Sequence, residues 1–349
     1  MDLAAVERIY VRAPNWVGDL VMATAGFARI RAAFPRAEIT CGLRPYLRPL
    51  LAGSQHFERY LSMPKGGGPR GLWQRVRAVR AGRFDLAVVL TNSFETGLVP
   101  FLARVPVRLG YRQGRPGLMT VGLRAGRHRR LFRRHGPRRA PKPMPDYYRE
   151  LLDLLQLPPG PERPMLSVRE EDREWVERWL LEHAIDPQAP LVLINPGAAF
   201  GASKLWLPDR FAEVAAHYKQ AGMVPVVLAG PAEVELAARI ARQADVASAH
   251  DPVIPLDRLR ALVARAQLMI TTDTGPRHIA VALGVPVVCV MGPTDPRYTD
   301  YALDRQVILQ KQLPCVPCHR KTCPLGHHDC MQKIEVAEVV AAGHRLFGG

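Results

Sequence analysis

Short runs of apolar residues alternate along this chain with longer amphipathic segments. The apolar runs have the length of β-strands, and the segments between them repeat apolar residues at helical spacing. The predicted strands cover residues 8–12, 38–43, 85–90, 191–194, 224–228, 268–272 and 285–291. The predicted helices cover residues 19–33, 169–183, 209–221, 233–244, 257–266 and 336–347. Strands that alternate with helices in this way are typical of parallel sheets flanked by helices.

The chain has 349 residues, which suits two such α/β units better than one. The segment LPPGPERP at 157–164 interrupts both patterns and predicts the hinge between them. We therefore expect an N-terminal domain at 1–160 and a C-terminal domain at 161–332. A last helix within 333–349 is expected to pack back on the N-terminal domain.

No apolar run reaches the ~20 residues that a membrane-spanning helix needs. Acidic Asp2 and Glu7 stand where a secretory signal carries basic residues. These features predict a cytoplasmic protein.

The net charge of +16 is unevenly distributed. Residues 1–150 hold 28 Lys and Arg against 9 Asp and Glu, whereas residues 151–349 hold 20 against 23. The segment 124–142 alone contains nine basic residues and no acidic one. A solvated basic loop is the simpler explanation of that segment, but the imbalance between the halves favours an anionic partner for the first domain.

The turn that follows the first predicted strand contains Gly18 and Asp19. Gly18 allows close backbone approach, and Asp19 opens the next helix. Asp19 is either a helix-stabilising acid or a carboxylate that takes a proton from a substrate hydroxyl.

Two turns in the second half carry candidate phosphate-binding groups. Lys204 precedes a helix and is able to reach a diphosphate as a mobile point charge. A buried strand later in the chain is followed by four further candidates, Asp273, Thr274, Gly275 and His278. Asp273 is suited to accept hydrogen bonds from sugar hydroxyls and His278 to donate to the same group, and the backbone amides of Thr274 and Gly275 are suited to bind a phosphate. Asp273 as a helix cap and Lys204 as a surface lysine are the structural alternatives.

Four segments together resemble the ADP-heptose:lipopolysaccharide heptosyltransferase family, and within it the heptosyltransferase II branch, which adds the second heptose of the inner core. They are APNWVGDLVMATAGFARIRAAFP, NPGAAFGASKLWLPDRFAEVA, TDTGPRHIAVALGVPVVCVMGPTDP and CVPCHRKTCPLGHHDC. The similarity extends over nearly the whole chain in the same order, and RLGYRQG around Tyr111 also fits.

The resemblance implies an α/β GT-B fold, in which two Rossmann-like domains face a central cleft, and an inverting glycosyltransferase (EC 2.4). It implies that Asp19 is the general base. The donor side would comprise Lys204, Asp273, Thr274, Gly275, His278 and, as a weaker match, Glu233. Ala198, Ala199 and Phe200 stand where a related branch has hydroxyl residues, so Ser203 or backbone groups would supply the phosphate contacts there. The acceptor side would comprise Trp16, Gly18, Tyr111, Arg112 and Arg130.

The expected partners are ADP-heptose and an acceptor of the Kdo-lipid A type at the cytoplasmic face of the inner membrane. The basic N-terminal half suits such an anionic glycolipid surface, so peripheral membrane association is expected. A monomer that needs no cofactor is expected, with stimulation by a divalent cation left open. Because the chain lacks an Asp-x-Asp motif, Lys204 and helix N-termini are expected to stabilise the leaving diphosphate.

Four of the six cysteines, Cys315, Cys318, Cys323 and Cys330, lie in one short segment. In a cytosolic chain such a run suggests metal binding more than disulfides. The spacing lacks the paired CxxC units of common zinc sites, so free thiols that pack a loop are favoured over structural zinc.

Two other classes of function are considered. A nucleic-acid-binding protein would interleave aromatic residues with its basic ones, but the segment 124–142 offers only Phe132. An NAD-containing epimerase would need a G-x-G-x-x-G turn after the first strand, and this turn lacks one. A related glycosyltransferase with another nucleotide sugar remains the nearest alternative.

Overall fold

The computed structural model describes residues 5–126 and 139–347. These residues form two compact units. The first contains the described residues up to Met165, and the second begins at Leu166.

The first unit contains a five-stranded parallel sheet in the order β3-β2-β1-β4-β5. Its strands are β1 (Arg8–Arg12), β2 (Glu38–Leu43), β3 (Arg59–Ser62), β4 (Leu86–Val89) and β5 (Val107–Gly110). Its helices are α1 (Val17–Met22), α2 (Thr24–Ala33), α3 (Gly68–Ala81), α4 (Phe94–Leu102) and α5 (Met144–Asp153). Every residue of the central strands β1 and β4 except Arg8 is buried, as expected of strands covered on both faces.

The second unit contains a six-stranded parallel sheet in the order β11-β10-β9-β6-β7-β8. Its strands are β6 (Leu191–Asn195), β7 (Val224–Leu228), β8 (Ala247–Ala249), β9 (Leu268–Thr272), β10 (Val287–Val290) and β11 (Gln306–Leu309). Its helices are α6 (Glu170–Glu182), α7 (Pro208–Gln220), α8 (Val234–Ala244), α9 (Leu256–Arg265), α10 (Gly275–Ala282), α11 (Asp329–Gln332) and α12 (Val336–Phe347). In both units the strands order as in doubly wound sheets, in which ligands bind beyond the carboxyl ends of the strands.

The predicted helix at 19–33 is two helices, α1 and α2, that meet at Ala23. The Thr24 hydroxyl donates to the carbonyl of Val21 over 2.7 Å, which is the local bonding by which threonine competes with helix continuation. The strands β3, β5, β8 and β11 were not predicted because they are short edge strands with weaker apolar runs.

The first unit extends past the predicted hinge because Arg29 of α2 fixes the start of that segment. Its guanidinium donates to the carbonyls of Leu157 (2.7 Å) and Pro158 (2.8 Å). The hydroxyl of Thr24 also accepts from the amide of Met165 over 2.9 Å. The segment therefore packs on the first unit before the chain enters the second.

The last helix, α12, packs in the second unit, which corrects the expectation that it packs on the N-terminal domain. Its apolar residues Val339 and Ala342 lie in one core cluster with Tyr218 of α7 and Leu268 of β9. A Cβ at Gly343 would collide with the Tyr218 hydroxyl, so this glycine permits the close approach of α12 to α7. The apolar face of α12 thus covers the sheet of its own unit.

Among the described residues, no helix has both the length and the apolar character needed to cross a membrane.

Candidate active site

In the second unit, polar residues gather where β6, β9 and β10 end. The centre of this group is Asp273, which directly follows β9 and has a side chain only 9% exposed. Lys204 reaches it from the 3-10 turn Ala202–Lys204, and Thr294 reaches it from the loop after β10. The parallel sheet brings these distant segments together because all of its strands end at the same edge.

Three side chains satisfy the Asp273 carboxylate. One oxygen accepts from Lys204 Nζ at 2.5 Å and from the Thr294 hydroxyl at 2.9 Å. The other accepts from Arg277 Nη1 at 2.9 Å. Burial by itself would raise the pKa of Asp273, but the Lys204 ammonium and the Arg277 guanidinium outweigh it and hold the pKa far below its usual range. Asp273 is therefore an anion at every working pH.

Arg277 is fully buried, and its guanidinium bonds to Asp273 and also to residues that follow β10 in the chain. It lies one helical turn beyond Asp273, on α10. Its guanidinium donates to Gln306 Oε1 at 2.8 and 3.1 Å, and to the hydroxyl and carbonyl of Thr299 at 3.0 Å each. Arg277 is thus a fixed cation, whereas Lys204 lies on a flexible stem.

His278 lies beside this cluster as a neutral imidazole. Burial, together with the nearby Arg277 guanidinium, lowers the pKa of His278 to about 3. Its Nδ1 is 2.7 Å from the hydroxyl of Tyr301, whose ring stacks on the imidazole. Because His278 is uncharged, Lys204 and Arg277 exceed Asp273 by one positive charge in this buried group.

The amino end of α10 adjoins the same cluster. Thr274 precedes the helix, and Gly275 is its first residue. Asn195, at the end of β6, donates to the Thr274 hydroxyl at 3.0 Å and to the Thr271 hydroxyl at 2.8 Å, which fixes this turn to the sheet. The helix start and the excess positive charge together suit an anionic ligand such as a diphosphate.

Glu233 is brought to the same edge of the sheet by the loop after β7. A Cβ at Gly197 or Gly230 would meet its carboxylate, so glycine at these two positions makes room for it.

Ser203 is placed differently from the expectation. Its hydroxyl donates to the Arg320 carbonyl at 2.5 Å, and its own carbonyl lies 2.8 Å from Nε2 of His328. Because the Ser203 hydroxyl is bonded to a backbone carbonyl, these contacts favour a role for Ser203 in holding the loop over contact with a phosphate.

In the first unit, the turn after β1 presents Asp19 in the first turn of α1. Asp19 is half-buried, and its negative charge helps to raise the pKa of two nearby phenols, Tyr46 and Tyr148, for which burial is the larger cause. The Tyr46 hydroxyl donates to the carbonyl of Asn15 at 2.6 Å, which braces the turn.

The predicted acceptor residues differ in their exposure to solvent. Trp16 and Gly18 share the turn of Asp19, and Trp16 is 63% exposed. Arg112 is exposed, whereas Arg130 lies outside the described residues. Tyr111 is buried, stacks on Tyr147 with 3.8 Å between ring centroids and donates to its carbonyl at 2.7 Å. Tyr111 therefore packs the core and has little surface to offer an acceptor.

Cys315, Cys318, Cys323 and Cys330 line one small cavity with His327 and His328. All four thiols are free, and burial followed by the charges of the other three cysteines raises the pKa of Cys330 to about 11. In the described part of the chain, no three His, Cys, Asp or Glu side chains are arranged to hold a metal ion.

The sequence did not reveal Arg277, Thr294 or Tyr301 as members of the site. Arg277 had a usable signal, because it stands four residues after Asp273, the candidate cap of a helix, and so faces the same side. Thr294 and Tyr301 lie in irregular segments after β10, where spacing carries no such information.

The neutral state of His278 predicts a loss of stability in mild acid. Because the pKa is lower in the folded protein than in the unfolded chain, this stability is complete above about pH 6.5 and falls by ~1.4 kcal/mol per pH unit below it. Urea unfolding at pH 6.5 and pH 5 should show that wild type loses ~2 kcal/mol more than His278→Gln. Equal losses in the two proteins would contradict a buried neutral imidazole.

Comparison with known proteins agrees with this geometry. The family model of glycosyltransferase family 9 (heptosyltransferase) matches residues 72–328. Lipopolysaccharide heptosyltransferase 2 of Salmonella typhimurium is 29% identical over 97% of this chain and 98% of its own.

Two solved structures share the fold over nearly the whole chain. A family 9 glycosyl transferase from Veillonella parvula superposes with a TM-score of 0.83 at 23% identity, covering 99% of this chain and 98% of that one. The ADP-heptose lipopolysaccharide heptosyltransferase II of E. coli superposes with a TM-score of 0.77 at 25% identity, covering 97% and 98%. These matches confirm the α/β GT-B fold and the resemblance found in the sequence, and the chain belongs to glycosyltransferase family 9, the heptosyltransferases.

Proposed function

We propose that this glycosyltransferase moves heptose from ADP-L-glycero-D-manno-heptose to heptose I-Kdo2-lipid A, in assembly of the lipopolysaccharide inner core. The observation that carries the donor half of this proposal is the buried group around Asp273, with its one excess positive charge beside the start of α10. An ADP-sugar presents a diphosphate, which such a site stabilises by charge and by backbone amides.

Lys204 is the group in this cluster that is able to move. When a diphosphate binds, the ammonium moves from Asp273 toward the phosphate oxygens, while Arg277 and Thr294 continue to satisfy the carboxylate. The negative charge that develops on ADP as the sugar leaves is then met by a cation already at the site. Glu233 and His278 are proposed to contact the nucleoside and sugar hydroxyls.

Asp19 is proposed as the general base of an inverting displacement. Its carboxylate takes the proton of the acceptor hydroxyl as that oxygen attacks the anomeric carbon of the heptose. The bond between the anomeric carbon and the diphosphate oxygen breaks with its electron pair, and ADP leaves from the opposite face. The half-buried position of Asp19 limits its hydration while leaving it open to substrate.

The charge of the first 150 residues supports the proposed acceptor and location. An excess of 19 positive charges there suits a phosphorylated, carboxylate-bearing glycolipid in an anionic bilayer. We propose peripheral association with the cytoplasmic face of the inner membrane, and a monomer that needs no cofactor.

A coupled assay of nucleoside diphosphate release tests the donor and acceptor together. We expect turnover with ADP-heptose but not with ADP- or UDP-hexoses, and with Kdo-lipid A that already carries one heptose. Preference for a hexose donor would show a related glycosyltransferase, and preference for the acceptor without heptose would show transfer of the first heptose.

Asp19→Asn should lower kcat by roughly two to four orders of magnitude and leave the Kd of ADP nearly unchanged, because it removes the base and keeps the shape. Asp146→Asn is the matched control, since Asp146 is also an acid in the first turn of a helix of this unit. Wild-type turnover in Asp19→Asn would contradict the assignment.

Lys204→Met should weaken ADP binding by ~2 kcal/mol, about thirtyfold, because it removes a charge-assisted bond to the diphosphate. Calorimetry measures this directly. Lys219→Met is the control, because Lys219 is also paired with an aspartate but is 46% exposed. An unchanged Kd in Lys204→Met would mean that the lysine serves only to pair Asp273.

A further inference from the structure

A second polar pocket lies within the first unit, beyond the carboxyl ends of its first four strands. Arg12 ends β1, Arg44 follows β2, Pro64 follows β3, and Glu95 lies on α4 after β4. This edge is where open α/β sheets bind ligands. Of the residues singled out from the sequence, none of those that the structure describes lines this pocket.

Three guanidinium groups meet in this pocket, those of Arg12, Arg44 and Arg75. Arg12 donates to Asn15 Oδ1 at 2.7 Å, and Arg44 Nε donates to the same oxygen at 3.1 Å. Within the described ranges, neither Arg12 nor Arg44 has a carboxylate at ion-pair distance. Two cations therefore share one neutral amide oxygen, and the other hydrogen bonds of the Arg12 guanidinium go to the neutral carbonyls of Ala13 and Gly42.

Glu95 is the one acidic residue in the described lining of the pocket, and it is paired with Arg75 at 2.8 Å. Its side chain is 53% exposed, whereas that of Arg75 is 7% exposed. The lining thus carries three positive charges against one negative charge. Burial lowers the pKa of Arg12 below its usual range.

Among the residues that the structure describes, two buried polar atoms of the lining have no hydrogen-bond partner, the Tyr10 hydroxyl and Arg75 Nε. Tyr10 is fully buried, and Arg75 is 6% exposed. Buried polar groups are nearly always bonded in folded proteins, so two such donors on lining residues, beside an excess of positive charge, favour a ligand group that is anionic and accepts hydrogen bonds.

We propose that this pocket binds one anionic group, a carboxylate or a phosphate, of the acceptor substrate. Guanidinium groups pair both anions through two parallel bonds, which fixes orientation as well as affinity. The proposal rests on the proposed function in naming the acceptor as the source of the anion. The anion site itself follows from the lining alone.

The pocket is joined to the turn of Asp19 through Asn15. The side-chain oxygen of Asn15 accepts hydrogen bonds from Arg12 and Arg44, and the backbone carbonyl of Asn15 accepts one from the Tyr46 hydroxyl. An anionic group bound by the arginines is therefore held at a fixed distance from the turn that presents Asp19. The pocket would align the acceptor hydroxyl for proton removal, which is a positioning function.

Two variants with opposite expected effects test the site. Arg44→Gln, at a half-buried position, removes a cation and should raise the KM for acceptor about ten- to a hundredfold. Glu95→Gln removes the competing carboxylate and should lower that KM several-fold. Arg48→Gln is the control, because Arg48 lies on the 3-10 segment Pro45–Leu51 that directly follows Arg44 but is exposed and outside the pocket. The Kd of ADP should stay unchanged in all three.

Direct titration with inorganic phosphate and with free 3-deoxy-oct-2-ulosonate separates the two anions and needs no transfer reaction. Weaker binding of one of them in Arg44→Gln and tighter binding in Glu95→Gln would establish the site and identify the anion, even if the proposed donor or acceptor were wrong. If both variants bind both anions and the acceptor as wild type does, the proposal is overturned. Should Arg44→Gln fail to fold, the exposed Glu95→Gln decides alone, because a purely structural ion pair would not tighten anion binding when broken.

Discussion

A carboxylate buried at the end of a strand must be paired, and the pairing of Asp273 organises the binding edge of the second unit. Removing one partner from such a group costs about 3–5 kcal/mol, because a buried charge is left without compensation. The partners come from separate segments, Lys204 before α7, Arg277 on α10 and Thr294 after β10. Satisfying one aspartate therefore fixes three segments of the chain relative to each other.

The same pairing prepares the site for an anion. The cluster has one positive charge more than the Asp273 carboxylate neutralises, and the amino end of α10 adds the partial positive charge of its free amides. Lys204 is held near its place of action by Asp273 before any ligand arrives, so the reorganisation needed on binding is small. The arginines around Asn15 in the first unit differ from this cluster. In the part of the chain that the structure describes, no carboxylate lies between them as Asp273 lies between Lys204 and Arg277, and they bond instead to a neutral amide oxygen.

Much of this was accessible from the sequence, and the limits have physical causes. Apolar central strands such as β1 and β9 were predicted correctly because strands buried on both faces have a strong signal. Lys204 and Asp273 were singled out by the turns that carry them. Tyr111 and Ser203 show the limit of motif reasoning, since the sequence gives no sign that tertiary packing occupies their hydroxyls. The arginine pocket was also hidden, because its members come from four separate strand ends.

A double-mutant cycle of Lys204→Met and Asp273→Asn, measured as the Kd of ADP by calorimetry, tests most directly whether the two residues bind the diphosphate as a unit. The account predicts non-additive effects. Asp273→Asn should change the affinity for ADP when Lys204 is present and have little effect when it is absent, with a coupling energy above about 1 kcal/mol. Additive effects within ~0.3 kcal/mol would contradict the account, because they would show that Asp273 does not act on ADP through Lys204.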